Sequence, residues 1–414
     1  MRDRLARRLF PLMASAGLIV AGMLVTTWGS GLAGRTEWAL PYDLWGSLIA
    51  ATRLVHGQLG GIYQQPTGLI SLPGTAVILM PVAAVTSALG LTLRIPGPAN
   101  PHPHVWLVAG PYQIAISCIE LFAADALAEH IGVPRWKRAL LALGGVGALW
   151  SVSARWGHPE DAVAVGLLLY GVLAQSRSRF ALAGWLVGAA ICVQPLVLLA
   201  APACVAMLPL RRVPWFVVRA ALPSAVLLAA AAIANWDATF TAVTSQPNSP
   251  TINHPTAWTS LAPHMAGGYV AAWPFRLATI VLACGCALAV RRRWHGLAGE
   301  WPPEVITAVL WWVALALALR SFFEPVMVSY YPWPALAIAL IPAATGGWTR
   351  LLAACFLSAA VTGVGQGSWH DVWAWWVPVV TGMVVLLAVA RPWGRLPLEL
   401  PGRQDRLDLG RRLL

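Results

Sequence analysis

The feature that most constrains this chain is a series of apolar runs, most of them long enough to cross a lipid bilayer. Of its 414 residues, 58% are hydrophobic and only 11% are charged, a composition that excludes an ordinary soluble domain. A membrane-spanning helix needs about 20 consecutive apolar residues. The candidate spans are 10–28, 105–128, 138–154, 161–175, 216–234, 271–290, 304–320, 331–345, 350–366 and 371–390. We therefore predict an all-α, polytopic transmembrane helical bundle.

The apolar segment 181–209 is too long for one span and is interrupted by Gln194-Pro195. Basic residues flank it on both sides. It therefore predicts a tight hairpin of two short spans that meet near Gln194 and return the chain to the side from which it came.

A second segment, 68–91, is apolar but contains Pro73 and Pro81. A full crossing here would place the basic residues 135–138 outside the cell, against the positive-inside rule. We predict a re-entrant or juxtamembrane helix on the outer side instead. The complete chain then has about twelve spans, cytoplasmic termini and a long extracytoplasmic first loop at 29–104.

Charge sets the predicted orientation of these spans. The chain carries 28 Lys and Arg residues against 16 Asp and Glu residues, a formal net charge of +12. Most arginines lie in connections on one side, which becomes cytoplasmic, and most acids and histidines lie in the other set of loops. Arginines at helix ends are expected to meet lipid headgroups, so no nucleic-acid partner is predicted. We predict a multi-pass protein of a bacterial plasma membrane, with one integral domain at 1–390 and a cytoplasmic Arg-rich tail at 391–414.

The first external loop contains candidates for catalysis and binding. Asp43 follows the first span, where a base could meet both a lipid-borne donor and an aqueous acceptor. The alternative is that Asp43 only caps the helix that follows, as Asp often does. Tyr42, Trp45 and His56 are candidate acceptor- or sugar-binding residues in the same loop.

The motif His158-Pro159-Glu160-Asp161 lies at the outer end of the span 161–175. Pro159 suits a first helical turn, and both acids suit the positive end of a helix dipole. An acidic helix start with no further role is therefore one interpretation. The other is functional, because titratable groups at a membrane surface are costly to desolvate. We place His158, Glu160 and Asp161 with Asp43 in a candidate catalytic group.

Two later external segments add further candidates. The loop 235–270 is polar, Pro-rich and long for a connection, which favours a binding loop or lid. The segment 320–333 is rich in charged and aromatic side chains. The candidate acceptor- or sugar-binding residues of these two segments are Asn253, Trp258, Glu324, Tyr330 and Tyr331.

A small group of basic side chains is predicted on the outer side. The members are Arg53, Arg155, Arg276, Arg320 and His254. A guanidinium group matches the geometry of a phosphate, so these residues are candidates for binding a lipid phosphate. Each arginine could equally pair with headgroups, and His254 could be an ordinary loop histidine. Glu120 and Asp125 lie within a span and are expected to pair inside the bundle. The 6 cysteines show no metal-binding or disulfide spacing, and no metal site is predicted.

These residues resemble those of GT-C-type membrane glycosyltransferases, and more narrowly those of the actinobacterial mannosyltransferases that use polyprenol-phosphate-mannose. The resemblance covers about residues 1–220, a GT-C-like core. It rests on Asp43 after the first span, His56-Gly57, Tyr63, Pro73 and Pro81 behind it, the motif 158–161, and Ala183-Gly184 and Gln194-Pro195 before Arg211-Arg212.

The resemblance implies an inverting transfer of a sugar from a polyprenyl-phosphate co-substrate to a cell-envelope glycolipid or polysaccharide, without a bound cofactor. Asp43 would be the general base. Mannose is the implied sugar, although a pentose such as arabinofuranose suits the same architecture. Two departures matter. Asp43 stands beside Tyr42 where many relatives carry paired acids, which argues against a divalent metal bridged by two loop acids and leaves metal dependence undecided. Gln194 replaces a Lys that could contact phosphate.

Two other classes of protein remain as alternatives. A transporter or lipid flippase should show inverted repeats and charged groups at mid-membrane, and no internal repeat is evident. A non-catalytic partner in an envelope-synthesis complex would tolerate loss of Asp43. The enzyme hypothesis differs from both, because it predicts that Asp43, the motif 158–161, His254 and Glu324 meet at one external site.

Overall fold

The structure is a computed structural model that describes most of the chain, with Tyr42 described by its backbone only. The described residues are 7–27, 41–64, 69, 71–93, 104–244, 255–259, 273–294, 299–325, 327–367 and 371–392. Within these ranges the chain forms helices and turns and no β-strand, so the all-α prediction is confirmed there. The Arg-rich tail lies almost entirely outside the described residues.

The helices follow the apolar runs closely. They are α1 (Leu9–Thr27), α2 (Tyr42–Val55), α3 (Gly74–Ala88), α4 (Val105–Ser117), α5 (Ile119–His130), α6 (Arg135–Trp150), α7 (Pro159–Ser176), α8 (Phe180–Val193), α9 (Ala201–Ala206), α10 (Val213–Ala234), α11 (Trp236–Thr244), α12 (Trp273–Trp294), α13 (Pro303–Phe323), α14 (Trp333–Ala344), α15 (Trp348–Gly365) and α16 (Trp376–Ala390).

Among the described residues, 6 helical segments are long and apolar enough to cross a membrane. They are Leu9–Thr26, Val105–His130, Leu210–Ala234, Trp273–Trp294, Pro303–Phe323 and Trp348–Gly365. Other apolar helices, including α3, α8, α14 and α16, are shorter. The structure therefore agrees with a membrane protein, and the total of about twelve spans stays a prediction.

The break predicted at Gln194-Pro195 is present. Helix α8 ends at Val193, and Gln194 is extended, with φ −144° and ψ 112°. Pro195 then opens the 3₁₀ turn Pro195–Leu199 that leads into α9. The cause is local, because a proline disfavours the helical conformation of the residue before it.

Helix α3 occupies the apolar segment 68–91 and contains Pro81 in its interior. It packs along α2, and its first turn contacts the end of α8. There the Thr75 hydroxyl donates a hydrogen bond of 2.8 Å to the Val193 carbonyl. These contacts attach α3 to the break at Gln194, and its depth in a membrane stays a prediction.

The apolar core has two parts. The larger cluster joins α5–α10 with α12–α16. A second cluster joins α2, α3 and the start of α4 around Leu44, Leu48, Leu79 and Trp106, all fully buried. Met23 of α1 packs against both clusters. The segment after α1 thus forms a small apolar layer of its own against the bundle, which gives Asp43 a rigid support.

Contacts between helix ends define two opposite ends of the bundle. At the first, the start of α7 meets the starts of α2 and α14 and the end of α8. We call this the site end. At the second, the end of α7 meets the start of α13, where the Trp301 amide donates to the Ser176 carbonyl at 2.9 Å. We call this the basic end, because Arg8, Arg138 and Arg177 lie there.

Ion pairs connect the helices at the basic end. Asp125 of α5 is buried and accepts hydrogen bonds from Arg8 and from both Nε and Nη2 of Arg138, the latter two at 2.7 Å. Glu129 bonds Arg8 at 2.6 Å and lies 3.5 Å from Arg138. Asp125 therefore pairs inside the bundle as predicted. Glu120 is buried too, but its Oε2 has no hydrogen-bond partner among the described residues.

Candidate functional site

The end of α6 presents the motif 158–161. The helix continues into a π-helical turn, Ser151–Arg155, an irregularity that often occurs at functional sites. Gln113 of α4 donates its Nε2 to the Ser153 carbonyl at 2.8 Å and so satisfies one backbone group of this turn. The His158 amide then bonds the Val152 carbonyl at 2.8 Å, which fixes His158 at the start of α7.

Gly157 brings the start of α2 onto this turn. Its φ of +66° lies in the left-handed region. A Cβ at this position would lie 2.7 Å from Cγ of Pro41 and 3.1 Å from Cβ of Leu44. Glycine is therefore required twice, by the backbone conformation and by the close approach. Gly157 was not among the predicted site residues, and its signal in the sequence is its position directly before the motif.

Asp43, His158 and Glu160 form one hydrogen-bonded chain. Nε2 of His158 lies 2.9 Å from Oδ2 of Asp43, and Nδ1 lies 2.7 Å from Oε1 of Glu160. The side chains of His158 and Glu160 are 9% and 8% exposed, whereas that of Asp43 is 47% exposed. These hydrogen bonds thus lead from a buried carboxylate through an imidazole to an accessible carboxylate.

This arrangement favours an imidazolium between two carboxylates. Burial lowers the pKa of His158, but the charge of Glu160 and the hydrogen bonds to Asp43 and Glu160 outweigh it and hold the pKa well above its usual value. Partial burial raises the pKa of Asp43, yet the hydrogen bond and charge of His158 bring it below its usual value. At neutral pH the charged His158 therefore donates to both carboxylates.

Asp43 is not the cap of α2. The N-cap position belongs to Pro41, and no side chain caps the helix among the described residues. Asp43 lies in the first turn, where the helix dipole favours its charge, but its hydrogen bond goes to His158. The capping interpretation is replaced by a long-range contact.

Asp161 connects the motif to the broken hairpin. It is buried, and its Oδ1 accepts a hydrogen bond from Nε2 of Gln194. The break before Pro195 therefore aims the Gln194 side chain at the start of α7. Gln194 was predicted to lie at the hairpin break and to lack the phosphate contact of a Lys; its hydrogen bond to Asp161 was not predicted.

A group of aromatic residues begins at one face of the His158 ring. The ring of Tyr330 stacks on the imidazole with centroids 4.1 Å apart. Tyr331 meets Tyr330 edge-on at 5.4 Å, and the Arg320 guanidinium lies 3.5 Å from the centre of the Tyr331 ring. Contacts thus lead without interruption from Asp43 to Arg320.

Arg320 and Arg276 share one acid. Glu324 is 3% exposed, and its Oε1 accepts hydrogen bonds from Nη2 and Nε of Arg276 at 3.0 and 3.1 Å. Its Oε2 lies 3.8 Å from Nε of Arg320. Arg320 also attracts the charge of Asp161. Both candidate arginines therefore contact Glu324 at the end of α13, beside the motif 158–161.

Residues 255–259 of the predicted loop 235–270 reach the same place, whereas residues 236–244 form helix α11 and pack against α10 instead of forming a loop. The indole of Trp258 donates to the Phe322 carbonyl and stacks on Phe323 with centroids 5.9 Å apart. The Thr256 hydroxyl donates to the Pro325 carbonyl at 3.0 Å. Asn253 and His254 lie outside the described residues.

Other candidates are not brought to this site. Arg53 and His56 lie ten or more residues beyond Asp43, about 15–20 Å along α2. The Arg53 guanidinium bonds the carbonyls of Gly61 and Gln64, so it holds its own loop. Trp45 is buried in the second apolar cluster and donates to the Leu93 carbonyl at 3.1 Å.

The two remaining candidates, Arg155 and Tyr42, lie at the ends of helical segments. Arg155 ends the π-helical turn and is exposed, and Tyr42 begins α2. Within the described ranges, no three His, Cys, Asp or Glu side chains are arranged to hold a metal ion.

No protein-family model matches the chain, and no curated protein matches it. The function must therefore be argued from the site itself.

Proposed function

We propose that this protein is a membrane glycosyltransferase that moves a sugar, mannose by resemblance, from a polyprenyl-phosphate donor to a cell-envelope acceptor. The observation that carries the proposal is the hydrogen-bonded chain Asp43–His158–Glu160, with an accessible carboxylate at its end. An accessible carboxylate held by a buried charged partner is suited to accept a proton from a substrate hydroxyl.

Each member of the chain has a distinct task in this proposal. Oδ2 of Asp43 is held by His158, which leaves Oδ1 for the acceptor hydroxyl. Glu160 keeps His158 charged and oriented, and Tyr330 fixes the plane of the ring. The buried pair therefore keeps Asp43 ionised and in place.

The proposed step is a single displacement. The acceptor oxygen attacks the anomeric carbon while its proton passes to Asp43. The bond between the anomeric carbon and the phosphate oxygen breaks, and its electron pair leaves with the polyprenyl phosphate. Because attack and departure occur on opposite faces, the anomeric centre is inverted.

Arg276 and Arg320 are the proposed phosphate-binding residues. Arg276 is 39% exposed and Arg320 22% exposed, so each can meet a ligand while Glu324 holds it from the buried side. A guanidinium donates two parallel hydrogen bonds to a phosphate and stabilises its growing charge. Neither Arg53 nor His56 belongs to the proposed site.

We further propose that the site end faces outward, because the arginines of the other end satisfy the positive-inside rule there. The ion pairs of Asp125 do not favour the transporter alternative, since they use its charge within the bundle. Glu160 and Asp161 are too buried to bind a solvent-borne acceptor directly and are assigned to positioning.

The test is sugar transfer in lipid nanodiscs, from a short-chain polyprenyl-phosphate mannose to a membrane glycolipid extract. Asp43→Asn removes the base but keeps the shape, and we expect transfer to fall about 10²- to 10⁴-fold. Donor binding should persist, because the arginines remain.

Asp237→Asn is the matched control, because Asp237 is an exposed acid in the first turn of α11. It should transfer sugar at the wild-type rate. Equal transfer by wild type and Asp43→Asn would contradict the proposed base. Donor binding without turnover in the wild type would support the transporter alternative.

A further inference from the structure

A cavity of about 290 Å³ lies at the basic end, between the first turns of α8 and α10. Its lining combines aromatic rings with arginines: Phe180, Ala181, Arg212, Trp215, Phe216 and Arg219. It is separate from the candidate catalytic site. Gln194, which contacts Asp161 of the candidate catalytic site, lies at the far end of α8. The length of α8, about 20 Å, therefore separates the cavity from that site.

The packing of α8 and α10 explains why the cavity exists. The two helices run parallel and meet closely at Gly184 and Gly188. A Cβ on Gly188 would lie 2.7 Å from the carbonyl oxygens of Arg219 and Ala220, and one on Gly184 would lie 3.1 Å from Cβ of Arg219. Small residues permit this approach. The cavity begins about one turn before Gly184, where the bulky residues Phe180 of α8 and Phe216 of α10 stand instead of glycines.

The electrostatics of the cavity suit an anion. None of its described lining residues is acidic, and Arg212 and Arg219 contribute two guanidinium groups. Because α8 and α10 are parallel, both present their positive dipole ends here, and no described side chain caps either helix. Two guanidinium groups beside uncapped helix starts match the phosphate group in charge and geometry.

The surroundings point to a phosphate carried by a lipid. Only 17% of the residues in the apolar stretch of Leu210–Ala234 are buried in the bundle, so α10 presents most of its surface outward. Trp215 is 64% exposed at the start of this helix, a typical position for a membrane-interface tryptophan. An acyl chain could follow the exposed apolar side chains Val218, Leu222 and Val226 of α10.

We propose that this cavity binds the phosphate headgroup of an anionic lipid. Arg212 and Arg219 hold the phosphate, and Trp215 and Phe180 cover the glycerol region. The site is independent of sugar transfer at Asp43. It anchors the parallel helices α8 and α10 at the membrane surface.

Native mass spectrometry of the full-length protein tests this site. The detergent-solubilised protein is titrated with phosphatidylglycerol, with phosphatidylcholine and with inorganic phosphate. We expect phosphatidylglycerol to bind more tightly than phosphatidylcholine. Arg212→Gln with Arg219→Gln should weaken phosphatidylglycerol binding about thirtyfold, from about 1 kcal/mol for each arginine.

Two further variants keep the test specific. Arg292→Gln with Arg293→Gln removes the same charge from exposed positions of α12 at the same end and should leave binding unchanged. Ala181→Trp fills the cavity without changing charge and should also weaken binding. An equal loss in the α12 variant, or full binding by Ala181→Trp, would overturn the site. Displacement of phosphatidylglycerol by inorganic phosphate would overturn its assignment to a lipid.

Discussion

At the basic end of the bundle, Asp125 and Glu129 meet arginines, whereas at the site end Asp43 and Glu160 meet one imidazole, that of His158. Asp125 is enclosed by Arg8 and Arg138, so its charge is compensated and inaccessible. Among the described residues Asp43 bonds His158, which it shares with a second acid, and its side chain remains half exposed. The difference teaches that acidic residues near a membrane have two uses. Full pairing connects helices, while partial pairing leaves a carboxylate able to react.

The largest expected effect follows from breaking the pairing at the basic end. Arg138→Met should destabilise the protein by about 3–5 kcal/mol, because Asp125 would stay buried with one cation fewer. Asp43→Asn should change stability much less, since its carboxylate is accessible to water. Thermal unfolding of both variants in the same detergent provides the measurement. If Asp43→Asn were the less stable of the two, the distinction between a connecting and a reactive pairing would be wrong.

The helical framework of this comparison could be predicted from local sequence. Run length located the apolar helices, and Pro159 and Pro195 marked a helix start and a helix break because proline acts on its own neighbours. The acids of the motif 158–161 were assigned to a helix start for the same reason. These are short-range effects, which a single sequence contains.

The partners of the site residues could not be predicted in this way. Arg276 bonds Glu324, 48 positions away, and nothing local to either residue encodes that contact. Arg53 was expected to bind phosphate but folds back on Gly61, because a neighbouring turn presents carbonyls to it. Trp45 was expected to bind sugar, but the α2–α3 layer buries it. Such outcomes depend on tertiary packing, which overrides residue type.

A smaller effect is expected when the imidazole between the two carboxylates is removed. His158→Gln should slow transfer about tenfold to a hundredfold, the value of one charge-assisted hydrogen bond. Asp43, the proposed base, would remain, so the loss should be smaller than in Asp43→Asn. The pH profile of transfer separates the two groups.

The sign of that profile follows from the two shifts. In the wild type, the raised pKa of His158 means that its contribution is complete at low and neutral pH and is lost as pH rises through that pKa. The lowered pKa of Asp43 places the acid limb below the usual range of Asp. His158→Gln should abolish the alkaline limb and move the acid limb upward. An unchanged acid limb would show that His158 does not set the ionisation of Asp43.

The smallest effect concerns the glycine that joins α2 to the motif, and it isolates geometry from charge. Gly157 and Gly132 both have positive φ, +66° and +79°, and they lie at the site end and the basic end respectively. An alanine at either position costs about 1–2 kcal/mol in backbone strain. Only at Gly157 does the new Cβ also meet another helix start, at Pro41; at Gly132 it meets open space.

Gly157→Ala should therefore lower transfer, because Asp43 is displaced from His158, while Gly132→Ala should lower only the unfolding temperature. Parallel transfer assays and melting curves would distinguish them, and equal transfer by both variants would mean that the spacing of Asp43 and His158 tolerates movement of α2.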